Sequence, residues 1–272
     1  MSKEIDLVLS GSGLRFPVFI GGYKALVETG HDIKRVAGSS GGALIATGIA
    51  CGLTPQEIEK IIIDLDFLKL KDFSLIELFS KFGVYKGDKI EAVVEDITQG
   101  KTFADLDIDL RVIASDFIRR CSVEFCKALT PDVKISQAVR YSLSIPLVFG
   151  YRKYKDTFLV DGLVTSNYPI DIFDDNARPT VGLLTGDKHI KKDASIKFSR
   201  FNIIQYVLMN ISTMMLAIEK EHIEDAYWAK SIFLDAQKYD PINFNLSRDD
   251  KLNMIKIGYE TVLNKINFIV GA

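Results

Sequence analysis

Val36-Ala37-Gly38-Ser39-Ser40-Gly41-Gly42-Ala43-Leu44 is the stretch whose reading decides the fold. It has the pattern of a strand end turning sharply into a helix, with a cluster of Gly and Ser at the turn. Within the turn, Gly38-Ser39-Ser40-Gly41-Gly42 fits GxSxG and makes Ser40 the candidate nucleophile. A serine hydroxyl attacks poorly unless a tight turn holds it out where a base can reach it. Gly38 and Gly42 let strand and helix backbones close on each other. Gly41 offers an unobstructed N–H beside the nucleophile, at the amino end of the helix. A plain glycine-rich strand-to-helix turn looks the same over five residues, so the motif needs partners elsewhere.

Upstream, Ile5–Ser10 is a short apolar strand that Gly11-Ser12-Gly13 ends, and a helix is expected from Pro17 to about Gly30. The loop Gly11-Ser12-Gly13-Leu14-Arg15 therefore lies at a helix amino end. Its converging N–H groups suit either an anionic ligand or the oxyanion of acyl transfer. A dinucleotide or P-loop fingerprint is incomplete, since Phe16 falls where the last glycine of GxGxxG belongs.

Downstream, Ala43–Cys51 reads as a small-residue helix, and Thr54-Pro55-Gln56-Glu57 as a capping box opening another. Phe67–Phe82 is rich in Leu and Phe with interspersed Lys; core packing is favoured there over a lid or a lipid-facing element. Asp88 and Glu91 repeat the capping pattern before a helix that Gly100 ends. Strands are expected at Leu110–Ser115, Ser122–Lys127, Thr157–Asp161 and Val181–Leu184, and a helix at Ile135–Leu143. Asp161-Gly162 puts a carboxylate at a strand end, where Asp-Gly commonly makes only a turn. Gln205–Ala226 reads as a long amphipathic helix, its most apolar part being Val207–Ile218. Alternating strands and helices predict a three-layer α/β/α architecture with a mainly parallel sheet.

The 272 residues, 47% of them hydrophobic, suffice for one sizeable core, and no linker divides them. One unit over 1–272 is expected, with a core at about 5–185 and a C-terminal helical part at about 200–272. Thirty-four Lys plus Arg against 36 Asp plus Glu leave a formal charge of -2, which argues against nucleic acid as a partner. Cys51, Cys121 and Cys126 form no CxxC pair, so reduced, buried thiols are expected and no metal site. The amino-terminal segment holds no apolar run of signal-peptide length, and a cytoplasmic location, peripheral at membranes, is the expectation.

The Gly11–Arg15 loop, Ser40 and Asp161, in that order, resemble the patatin-like phospholipase family. Thr102–Leu106 and the helix Ala138–Phe149, which carries S-x-x-I-P, are similar to that family as well. The resemblance implies a Ser40–Asp161 dyad without calcium or any cofactor, and an oxyanion hole from Gly11, Ser12 and Gly13 with Gly41. Leu14, Arg15, Gly38, Gly42 and Gly162 complete the motifs. Arg15 either positions the loop or a lipid phosphate, or makes a salt bridge beneath the loop. Ser12, Phe16-Pro17 and Leu163 depart from the family's usual residues, and Phe16 narrows the expected pocket. The implied activity is hydrolysis of fatty-acyl esters of phospholipids, of phospholipase A or lysophospholipase type. The rivals are an acyltransferase or thioesterase on acyl-carrier substrates, whose serine pairs with His, and a non-catalytic lipid or anion binder. Ser39 stands where such acyltransferases have His. Of the three histidines, His31 is expected in the loop before the Ser40 strand and His222 on an apolar helix stripe. His189 lies after a strand, in the order Ser…Asp…His of α/β-hydrolases.

Overall fold

The computed structural model describes residues 3–175, 177–186, 206 and 225–270. Strand β1 (Lys3–Leu9), helix α1 (Pro17–Glu28), strand β2 (His31–Ser39) and helix α2 (Gly41–Ala50) follow the expected order. Ile5–Leu9 and Val36–Ser39 are buried without alternation, as in strands covered on both faces. Helix α3 (Pro55–Asp64) opens with the predicted capping box, Thr54 N–H donating to the Glu57 carboxylate at 2.8 Å and Glu57 N–H to Thr54 Oγ1. Helix α4 (Leu75–Lys81), strand β3 (Gly83–Tyr85) and helix α5 (Asp88–Thr98) come next. Then follow strands β4 (Asp109–Asp116) and β5 (Cys121–Phe125), helix α6 (Ile135–Ser142) and strands β6 (Leu147–Phe149), β7 (Arg152–Tyr154) and β8 (Thr157–Asp161). Strand β9 (Thr180–Leu184), helix α7 (Asp225–Ala229), strand β10 (Ser231–Phe233) and helix α8 (Arg248–Val270) complete the described chain.

The main sheet runs β10-β9-β1-β2-β4-β8-β7, with β5 also on β4. Its first five strands are parallel, so it is mainly parallel, with helices flanking it; β5, β8 and β7 are antiparallel additions. The pairing on β4 positions the site. β2 pairs from Arg35 opposite Asp109 to Ser39 opposite Ile113, and β8 from Asp161 opposite Ala114 to Leu159 opposite Asp116. Because β5 fills the other edge of β4, β2 and β8 share one edge and approach each other end to end. Ser39 and Asp161 therefore face successive residues of one strand, and the β7–β8 hairpin stands beyond the carboxyl end of β2.

Several local expectations are corrected. Asp88 does not cap α5: Gly87 is the cap residue, and its N–H and that of Lys89 donate to the Asp72 carboxylate at 2.8 and 3.2 Å. Asp88 instead pairs with Arg152 at 2.8 Å. Within Phe67–Phe82, Phe67 and Leu70 are core, but Leu68, Phe73, Leu75, Ile76, Phe79 and Phe82 are exposed, so core packing accounts for only part of that stretch. Cys126 is buried and Cys51 half-buried, whereas Cys121 is exposed. His31 is the first residue of β2 and buried, not in a loop. The helix expected over Gln205–Ala226, with His189 and His222, lies almost wholly outside the described residues. Helix α8 packs on α1 at backbone contact, since a Cβ on Gly258 or Gly21 would overlap the facing Val18 or Ile255 carbonyl. Among the described residues no helix is long and apolar enough to cross a membrane.

Candidate active site

Ser40 is the residue between β2 and α2, at φ 48° and ψ -123°. A side chain rarely takes positive φ, and such a residue persists only when its surroundings hold it there. The hold is visible: Ser40 N–H donates to Ser142 Oγ at 2.8 Å, and Ser142 Oγ–H donates to the Ile113 carbonyl at 2.5 Å. Gly41 packs against the Gly11–Arg15 loop, where an added Cβ would collide with Ser12 Oγ and lie 2.6 Å from the Gly13 carbonyl oxygen. Gly41→Ala is thus expected to push the loop from the nucleophile and lower kcat about 100-fold, the scale of one lost oxyanion donor. A variant with kcat within twofold of wild type would show that the loop does not depend on this approach.

Ser40 Oγ donates to Asp161 Oδ2 at 2.7 Å. Asp161 is fully buried, and its Oδ1 accepts the Leu163 N–H at 2.8 Å, which fixes the carboxyl plane. Its backbone is tied at both sides, N–H to the Ser144 carbonyl at 3.0 Å and carbonyl to Ser115 Oγ at 2.8 Å. Burial pushes the Asp161 carboxyl up to about 7, against the opposing pull of Leu163 N–H, the Ser40 hydroxyl and the Arg140 charge. Arg140 is itself buried: Nη1 donates to Ser144 Oγ at 2.8 Å and Nη2 to the Lys86 carbonyl. Burial and nearby Arg152 push its guanidinium down to about 10, so it stays charged at neutral pH.

Gly13–Arg15 form one 3-10 turn ahead of α1. The Gly11 N–H is committed to the Asn167 carbonyl at 2.8 Å, which removes it from the expected set of oxyanion donors. Leu14 N–H donates to the Pro241 carbonyl at 2.7 Å, and Arg15, buried, donates through Nε to the Tyr239 carbonyl at 2.7 Å. Arg15 therefore anchors the loop from below rather than facing solvent. Gly38 and Gly42 flank the elbow, and Gly162 follows Asp161 in the next turn.

An apolar cavity of about 90 Å³ opens beside Ser40 and Gly13. Its walls are Leu44 and Ile45 of α2, Ile58, Ile61 and Ile62 of α3, Phe67, Leu70, Ile90 and Val93, with Ile145, Phe149 and Phe244 closing it. Phe16 is part of that wall, its ring centroid 5.5 Å from that of Phe67. Sequence reasoning missed Ser142, Ser144, Asn167, Arg140 and the Tyr239–Phe244 segment. The S-x-x-I-P motif carried a signal for the two serines; nothing local marked the others.

His31 lies at the far end of β2 from Ser40, roughly 30 Å away at about 3.3 Å per residue. Its Nδ1 is 2.9 Å from Thr29 Oγ1. His31→Gln is expected to leave turnover within twofold; a larger loss with the fold intact would reopen a histidine-dependent mechanism. Among the described residues no cluster of His, Cys, Asp and Glu is placed to hold a metal ion.

Comparison with known proteins gives the site its family. The patatin-like phospholipase family profile matches residues 7–174. YqhO of Bacillus subtilis, described only as uncharacterised, is 34% identical over 282 positions, covering 93% of this chain and 95% of that protein. A probable lipid hydrolase, 463L of Invertebrate iridescent virus 6, is 28% identical over 179 positions, 61% of this chain and 62% of its own. The fold is shared with VipD from Legionella pneumophila (TM-score 0.63, 16% identity, 98% of this chain and 67% of that one). It is also shared with human GIVD cytosolic phospholipase A2 (TM-score 0.51, 12% identity, 99% and 58%). With its match running from the first strand past the Asp161 turn, this chain belongs to the patatin-like phospholipase family of ester-bond hydrolases.

Proposed function

We propose that this protein is a serine lipid acyl hydrolase of phospholipase A or lysophospholipase type, working through a Ser40–Asp161 dyad. The observation that carries the reading is the 2.7 Å hydrogen bond between Ser40, which lines an apolar cavity, and a buried Asp161. Asp161 Oδ2 takes the Ser40 proton as Oγ attacks the ester carbonyl carbon. The N–H groups of Ser12, Gly13 and Gly41 hold the resulting oxyanion. Collapse breaks the ester C–O bond, and the leaving alcohol takes the proton from Asp161. Water then attacks the acyl-enzyme, again losing its proton to Asp161. The fatty acid leaves as that proton returns to Ser40. The apolar cavity is where the acyl chain lies, and residues 1–272 act as one unit because Tyr239–Phe244 completes both loop anchor and cavity wall.

The test is covalent labelling. A fluorophosphonate is expected to modify one residue, Ser40, as located by mass spectrometry, and Ser40→Ala is expected to take up none. Equal labelling of the variant would sink the assignment.

A further inference from the structure

Helix α4 is amphipathic the wrong way round for a helix on a soluble core. Its acidic residue Glu77 is turned inward, 6% exposed and paired with Arg152 at 2.7 Å, while Leu75, Ile76 and Phe79 stand out at 59%, 79% and 79%. Residues three and four apart share a face, so these three form one apolar ridge. The ridge continues. Phe82 rings lie 6.4 Å from Tyr151, Tyr151 lies 4.7 Å from Phe158, and Phe117 N–H donates to the Phe158 carbonyl. Phe82, Phe117, Ile118 and Phe158 are all exposed. Contiguous exposed apolar surface of this kind marks an interaction site.

We propose that the α4 ridge and the β7–β8 aromatic band dock on an anionic phospholipid bilayer; the inference rests on the lipid hydrolase reading above and names the surface that delivers the site to its substrate. Two further observations select a bilayer. The first is position. β7 and β8 stand past the carboxyl end of β2, the edge at which Ser40 and Asp161 meet, and Phe67, Leu70 and Phe149, which border the ridge in sequence, line the cavity. The second is charge. Lys153 lies opposite Phe158 across the hairpin, Lys155 in its turn, Arg120 after Ile118 and Lys86 after β3; all four are exposed and form no ion pair among the described residues. Neighbouring carboxylates are already engaged: Asp72 by backbone N–H groups, Asp88 by Arg152, Asp156 by Arg119. An apolar ridge with a net basic rim is the complement of acyl chains under acidic headgroups.

The experiment is co-flotation of the full chain with vesicles of phosphatidylcholine alone or with about one third phosphatidylserine. Wild type is expected to associate with the anionic vesicles, and Ile76→Asp/Phe79→Asp to lose at least about tenfold of that association. Ile76→Ser/Phe79→Ser is the milder variant, expected to lose it too, should the first fail to fold. Lys153→Glu/Lys155→Glu is expected to weaken association with the anionic vesicles and leave that with phosphatidylcholine unchanged. Ser40→Ala is expected to float as wild type does, and the ridge variants to hydrolyse a monomeric short-chain ester at the wild-type rate. Failure of the hydrolase reading would thus appear in the ester assay and failure of the docking surface in flotation. Unchanged flotation of folded ridge variants overturns the proposal. So does a wild-type dimer that the ridge variants dissociate without change in vesicle binding, because the ridge would then face a second copy of this chain.

Discussion

Ser40→Ala is expected to lower kcat for acyl-ester hydrolysis by on the order of 10⁴ to 10⁶, the range seen when a serine nucleophile is removed. The loss should come without unfolding. The hydroxyl makes one described hydrogen bond, to Asp161, and the backbone N–H that anchors the elbow to Ser142 is untouched by the change. Alanine keeps the positive φ of 48°, so the turn remains as strained as before. Glycine does not. Ser40→Gly is therefore expected to be equally inactive yet more stable than Ser40→Ala by about 1 kcal/mol, measured by denaturant unfolding. A pair of equal stability would mean that the elbow stores no backbone strain. Retention of more than a few per cent of turnover by either variant would remove Ser40 from the chemistry.

The elbow was legible in the sequence because its requirements are local: a strand end, small residues at the close approach and a serine at the tip. The same holds for the Thr54 capping box, where donor and acceptor lie three residues apart. Asp88 failed as a cap because the groups that satisfy the start of α5 come from Asp72, across a loop whose path no short window reveals. Likewise, Asp161 beside Gly162 reads equally as a turn. Its meeting with Ser40, 121 residues away, depends on two strands sharing one edge of β4, a matter of long-range register. Exposure of α4 was hidden for another reason. Leucine and phenylalanine at helical spacing predict a buried face, and only the inward Glu77–Arg152 pair shows which way the helix is turned. The commitment of Gly11 N–H to Asn167, and of Arg15 to Tyr239, likewise involve partners 156 and 224 residues distant.

Asp161→Asn is expected to abolish turnover as completely as the loss of Ser40, and to stabilise the protein at alkaline pH while doing so. The sign follows from the direction of the shift. Burial raises the Asp161 carboxyl from 3.8 to about 7, so the folded state holds a proton that the unfolded chain gives up above about 4. Stability from this group is complete below the unfolded value, falls as pH rises, and is lost once pH passes about 7. The ionised carboxylate then sits in the fold at a cost of about 4 kcal/mol, each tenfold in proton affinity being about 1.4 kcal/mol. An amide cannot ionise and escapes that cost. It also keeps an oxygen to accept the Leu163 N–H, so the strand end should hold its place. Unfolding at pH 5 and pH 8 checks this: wild type should lose a few kcal/mol more than Asp161→Asn between them. In the wild-type enzyme the same group should place the acid limb of kcat/KM near pH 7, since only the ionised base accepts the serine proton. A limb near 4, with wild type and Asp161→Asn losing stability in parallel, would show that burial does not raise the Asp161 carboxyl in the fold.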